Sequence, residues 1–132
     1  MTVLCDLEVI HGTFQGVQIG DDGFNPVWEQ SFNTGGRLSS GHAFITFMIK
    51  GLTVATEPLA VKVNNKFAGH IFPYVGANPN HWFSQTINIS GALLNNGDNE
   101  FEVPAAINPS GTGGTYDDFF LRNVFCFFQQ ST

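Results

Sequence analysis

Charge is the first thing this sequence lacks. Only 12% of its 132 residues are Asp, Glu, Lys or Arg, about half the share of an average soluble domain. The net charge is −6, and the five cations (Arg37, Lys50, Lys62, Lys66 and Arg122) are scattered along the chain. No basic stripe is available to hold a phosphate backbone, which argues against nucleic acid and anionic membrane as partners. Cysteine is scarce too, since Cys5 and Cys126 are too few for a disulfide framework. They are expected as buried free thiols, with a bridge open only if the terminal strands prove to be neighbours. No stretch is long and apolar enough for a transmembrane helix, so membrane insertion is not expected. "MTVLCDLEVIHG" has no basic region followed by an apolar run, so it does not read as a signal peptide. The expectation is a soluble chain, cytoplasmic as encoded, acting outside the cell only by non-classical release or as part of an assembly.

The motifs of catalysis are missing as well. The four histidines (His11, His42, His70, His81) show no metal-ligand spacing, and there is no Gly-x-Ser-x-Gly elbow or phosphate-binding glycine loop. A carboxylate pair drawn from Asp117 or Asp118 with Glu29 is conceivable. Nothing in the sequence sets them at the ~5–10 Å separation that glycoside hydrolysis needs. An enzyme is not expected.

What the chain does have is apolar residues in short blocks, 42% in all with fourteen Phe, punctuated by Gly, Asn and Pro. Helical periodicity is almost absent, so the pattern predicts an all-β, single-domain antiparallel sandwich over residues 1–132. Residues 2–10 read as a first strand, followed by a long turn-rich segment with one or two short strands. "HAFITFMIKGL" is apolar on both faces, as a central strand would be. "LAVKVNNKFAGHIFPYV" predicts a hairpin turning at Asn64-Asn65, because Asn tolerates the positive φ of a tight turn. Residues 81–89 read as a further strand. Asn96-Gly97 is a strong hairpin or turn signal. The strand after it should turn Phe101 and Val103 inward and Glu100 and Glu102 outward, ending at Pro104. The last strand lies in "DDFFLRNVFCFFQQ".

Three segments together resemble galactose-binding-like jelly-roll domains, the sugar-binding β-sandwiches of many carbohydrate-binding modules. These are "LAVKVNNKFAGHI", "INISGALLNNGDNEFEV" (with Leu94, Gly97, Asn99, Phe101 and Val103 in matching places) and "YDDFFLRNVFCFF". The resemblance covers roughly residues 42–128. It implies a jelly-roll β-sandwich and a non-catalytic, lectin-like function. It also implies a structural calcium ion near the start of the last strand, where Asp117 and Asp118 would be ligands with help from Asp6 or Glu8. The alternative for both acids is that they close the preceding loop by accepting backbone N–H bonds. Asp21-Asp22 is a weaker version of the same case, and a turn explains it.

Neutral sugars present an apolar C–H face and a rim of hydroxyls, so they are held by an aromatic platform with amide or imidazole partners. "PYVGANPNHWF" offers Tyr74, Asn78, Asn80, His81 and Trp82. "GFNPVW" adds Phe24, Asn25 and Trp28, and "GTYDD" adds Tyr116. If these loops share one end of the sandwich they form such a site; the alternative for each tryptophan is a core position. The predicted ligand is a neutral carbohydrate or glycan. A competing expectation is a structural or adhesive subunit, homo-oligomeric or within a phage-like tail, fibre or shell, because "VFCFFQQ" on an open edge would be an aggregation hazard.

Overall fold

The computed structural model describes residues 4–20, 26–109 and 115–131. Its strands are β1 (Leu4–His11), β2 (Val17–Ile19), β3 (Val27–Asn33), β4 (His42–Lys50), β5 (Leu59–Val63), β6 (Lys66–Ile71), β7 (Phe83–Ser90), β8 (Asp98–Pro104), β9 (Ala106–Ile107), β10 (Tyr116–Asp117) and β11 (Phe119–Gln130). A single 3-10 turn, Gly91–Leu93, lies between β7 and β8, and there is no α-helix among the described residues. The strands form two antiparallel sheets. The first has the order β1-β11-β4-β7, with β2 paired to the start of β11, and the second has the order β3-β8-β5-β6. Strands β9 and β10 make a separate short ribbon.

Period-two alternation decides which side chains meet between the sheets. From β4 these are Ala43, Ile45, Phe47 and Ile49; from β5, Leu59, Val61 and Val63; from β8, Phe101 and Val103. Glu100 and Glu102 face outward, as expected. β4 is central, paired with β11 on one side and β7 on the other. β11 is central too, so "VFCFFQQ" lies on no open edge. Cys5 pairs with Gln129 and Cys126 with Glu8, so the terminal strands are indeed neighbours. The two thiols nevertheless point to opposite faces, and both are free. Cys126 is buried as expected, whereas Cys5 is exposed. Burial, with the nearby Glu8 charge, pushes the Cys126 thiol up to about 12, so it stays protonated at neutral pH.

The hairpin at Asn64-Asn65 forms as the sequence predicts, with φ of 53° and 64°. Of the two readings open for Asn96-Gly97 it is the turn and not the hairpin, because β7 and β8 belong to different sheets and residues 91–97 carry the chain across. Asn99 organises that crossing. Buried at 4% exposure, it accepts from Asn64 Nδ2 at 2.9 Å and from the Asn95 N–H at 2.7 Å. Its own amide donates to Thr34 Oγ1 at 2.7 Å and to the Gly97 carbonyl at 3.1 Å. Gly97 sits at φ 139° with nothing near its Cα hydrogens.

Asn99→Ala should therefore destabilise the fold by roughly 2–4 kcal/mol in a urea titration, since it strands several buried polar groups at once. Gly97→Val should cost about 1–3 kcal/mol through backbone strain without any clash. Wild-type midpoints for both variants would show that this crossing does not anchor the fold.

Candidate functional site

The strand directions bring several connections together. β4, β6 and β8 end, and β3, β5, β7 and β11 begin, at one end of the sandwich. Residues 51–58, 72–82 and 105–109 therefore lie there, beside β10. Three backbone contacts weld them: the Tyr74 N–H donates to the Leu52 carbonyl at 2.9 Å, the Gly76 N–H to Thr53 at 3.0 Å, and the Ala105 N–H to Pro26 at 2.8 Å. Phe24, Asn25, Asp21, Asp22 and residues 110–114 lie outside the described residues.

Tyr74 is 60% exposed, and its ring lies flat on Phe83 at 4.6 Å and 13°. His81 lies against the same Phe83 at 5.0 Å. The backbone beneath is shaped by Asn78, whose Oδ1 accepts from the Asn80 N–H at 2.9 Å and whose carbonyl accepts from the His81 N–H at 3.1 Å. Asn78, Asn80 and His81 are all exposed. Asn78 is thus partly spent on the turn, while the Asn80 and His81 side chains stand at the surface.

Trp82 turns away from that group. Arg122 sits 4.0 Å from its ring centroid and Lys50 at 5.1 Å, with Lys50 also 5.1 Å from Phe120. These residues belong to the outer face of the first sheet, on the opposite side of β7 from Phe83. Tyr74 and Trp82 therefore do not share one platform, and the Trp82 ring is already occupied by cations. Trp28 is buried at 7% exposure, packed edge-on against His11 at 5.4 Å and Phe101 at 6.1 Å. It takes the core position that was its alternative and offers no platform. The same burial holds His11 below the usual imidazole range. Tyr116 is half-buried in β10, opposite Ile107.

Asp117 is 6% exposed, and its Oδ2 accepts from the Val54 and Ala55 N–H groups, each at 2.9 Å. Its role is to hold residues 51–58 in place. Asp6 and Glu8 pair with Phe128 and Cys126, more than ~20 Å along the strand direction from Asp117. No group of three or more His, Cys, Asp or Glu side chains converges among the described residues. The described side chains do not assemble a calcium cage. Glu29 lies on the outer face of the second sheet and is pushed above the usual carboxylate range, first by the Glu100 charge and then by a hydrogen bond with Glu102. It is not aimed at Asp117. A shallow cleft of about 390 Å³ lies between residues 55–60 and 105–109. It has small aliphatic walls with Thr56 and Glu57, and no aromatic ring.

Sequence reasoning missed Phe83, read there only as a strand residue, although it is what holds Tyr74 flat. It also missed Phe67, His70 and Phe72 on β6 and just beyond it. An available signal was the uncharged run from Phe67 to Gly97, which contains no Asp, Glu, Lys or Arg.

Asp117→Ala should lower stability by roughly 2–4 kcal/mol, the loss of two hydrogen bonds to a charged acceptor. Melting curves of the wild type in chelator and in excess calcium should superimpose. A calcium-dependent rise in Tm would make Asp117 and Asp118 metal ligands instead.

No protein-family model matches the sequence, and no curated protein sequence matches it. Solved structures do. A β-porphyranase of glycoside hydrolase family 86 from the human gut bacterium Bacteroides plebeius superposes with a TM-score of 0.59 and 14% identity, over 98% of this chain and 21% of the enzyme. BuGH86wt in complex with neoagarooctaose gives 0.60 and 11%, over 97% and 19%. This chain thus spans about a fifth of the length of either protein. The CBM36-1 domain of a multidomain xylanase from the hindgut metagenome of Trinervitermes trinervoides gives 0.50 and 14%, over 98% of this chain and 100% of that domain. The two-sheet order and this likeness agree: the chain has an antiparallel jelly-roll β-sandwich fold, like that of the CBM36-1 domain.

Proposed function

We propose that this chain is a non-catalytic carbohydrate-binding domain that takes a neutral glycan at its loop end. The observation that carries the reading is the Tyr74–Phe83 stack. A ring held flat by a second ring, with 60% of its surface free, is pre-organised for the apolar face of a sugar, and the ligand need not immobilise it. Asn80 and His81 supply hydroxyl partners from the same loop. Trp82, its ring laid against Arg122, serves at most as a flank. The likeness to a carbohydrate-binding module and to parts of two glycoside hydrolase family 86 proteins supports the class of ligand. No catalytic pair is part of the reading, because Asp117 is committed to backbone amides and Glu29 lies on another face.

A glycan array that includes neoagaro- and xylo-oligosaccharides tests it. Tyr74→Ala should weaken binding by about 1–3 kcal/mol, as loss of an aromatic anchor does, with little change in Tm. Affinity should change little with salt, since no charge is neutralised. A Tyr74→Ala protein that binds as the wild type does would remove the loop from the site.

A second reading, self-association or a place in an assembly, is favoured by one face. The outer rows Leu7–Phe127–Phe44 and Val9–Phe125 of the first sheet are in register across strands, with Leu7, Val9 and Phe44 exposed and Phe44 stacked on Phe127 at 4.8 Å. Contiguous exposed apolar surface of this kind marks interaction sites. On this reading light scattering gives the mass of an oligomer, and Phe44→Lys reduces it to that of one chain; a wild type already at 14.4 kDa would defeat it.

A further inference from the structure

A line of exposed rings runs up the edge of the second sheet. Phe67 is 60% exposed and Phe72 58% exposed, with His70 exposed between them. Phe67 and His70 are 5.0 Å apart, and His70 and Phe72 6.0 Å. They share a face because of an irregularity. Val61 pairs with Gly69 but Lys62 pairs with Phe67, so Ala68 is an extra residue. A bulge of one residue reverses the alternation beyond it, which brings Phe67 out beside His70.

The line continues into the loop end. Phe72, Tyr74, Phe83 and Gln85 border one small crevice, which Lys50 also lines. Gln85 fixes that junction: its amide donates to the Phe72 carbonyl at 2.7 Å and accepts from the Phe72 N–H at 2.9 Å. Gly69 lets the two sheet edges close, since a Cβ there would fall 2.5 Å from Ile87 Cγ2. From Phe67 to Tyr74 the track is about 20 Å long by strand rise.

We infer that β6 and the Tyr74 loop form one continuous track for an extended, neutral polysaccharide chain, with Tyr74 at one end and Phe67 at the other. The inference rests on the proposed function, whose site it lengthens. Three observations choose this occupant. The track is linear, whereas a protein partner would be met by a two-dimensional patch with a polar rim. It carries no Asp, Glu, Lys or Arg from Phe67 through Trp82, and the adjacent Lys62 is paired with Glu102 at 3.9 Å. Rings alternating with an imidazole match a polymer that repeats an apolar face and hydroxyls; stacking supplies affinity and His70 supplies a donor or acceptor.

The test uses two size series, neoagaro-oligosaccharides and xylo-oligosaccharides, each from disaccharide to octasaccharide, titrated calorimetrically into wild type and variants. Affinity in the bound series should climb with length until the track is filled. Phe67→Ala and Phe72→Ala should each weaken the longest member about tenfold while leaving the shortest member unchanged, and Tyr74→Ala should weaken all of them. Both phenylalanines are exposed, so Tm should hold. Phe67→Tyr should keep the wild-type affinity and Phe67→Leu should lose it, which separates stacking from general apolar contact. Should Tyr74→Ala weaken binding while affinity is independent of length, or while the two Phe variants bind long chains normally, the track is wrong and the loop site stands. Should no member of either series bind, both fall. A dimer in light scattering that Phe67→Ala dissociates would assign the same rings to a second copy and overturn the proposal.

Discussion

Asn99 is the constraint on which the connections at one end of the molecule depend. An amide buried at 4% exposure costs free energy unless its donors and acceptor are all met. Here they are met by three different connections: Thr34 after β3, Asn64 in the β5–β6 hairpin, and Asn95 with Gly97 in the crossing between sheets. Only one register of β8 allows this, and that register sends Phe101 and Val103 to the core. It also turns the hairpin so that Asn64 Oδ1 accepts from the Glu100 N–H at 2.9 Å. The dense Asn-Gly-Asp chemistry of residues 95–99 therefore specifies which strands are neighbours, something a purely apolar core would leave degenerate.

The other end is built differently. Its connections are held by the Asp117 carboxylate and by backbone contacts, which leaves the aromatic side chains there unspent. The Tyr74 ring is ordered by Phe83 beneath it without being covered, and the Phe72 backbone is held by Gln85. A surface of this kind pays little conformational entropy on binding a flat ligand. The low charge fits the same picture, because desolvating Asn and His beside a sugar costs far less than desolvating a carboxylate.

Much of this was legible in the sequence where alternation is regular. β4, β5 and β8 could be read almost residue by residue, and Asn64-Asn65 announced its own turn. The signal failed at irregularities. Asn123, at φ 51°, introduces a bulge in β11, so Phe119 and Leu121 are inward but so are Val124, Cys126 and Phe128. Read as one alternating strand, that segment has no consistent face, and its surplus Phe leaves open whether a neighbouring strand or another subunit covers it. The extra residue at Ala68 hid the outward position of Phe67 in the same way. Asn99 reads in the sequence only as the first residue of the strand after the turn, because a buried amide and an exposed one are the same letter until their partners are known. For the candidate site, sequence singled out the Tyr74–Trp82 loop, which the strand directions set at the same end as residues 51–58 and 105–109. It could not separate Trp82 from Tyr74, since that depends on the side of β7 to which each ring turns.

The pairing of Leu4 with Gln130 has an architectural consequence. The described chain enters and leaves the sandwich side by side, at the end away from Tyr74. Any segment joined there, before or after, departs on the side opposite the loops, and the two junctions are close enough for the sandwich to be inserted into a host loop or hung from a single tether. The fold thus keeps both junctions at the end away from Tyr74.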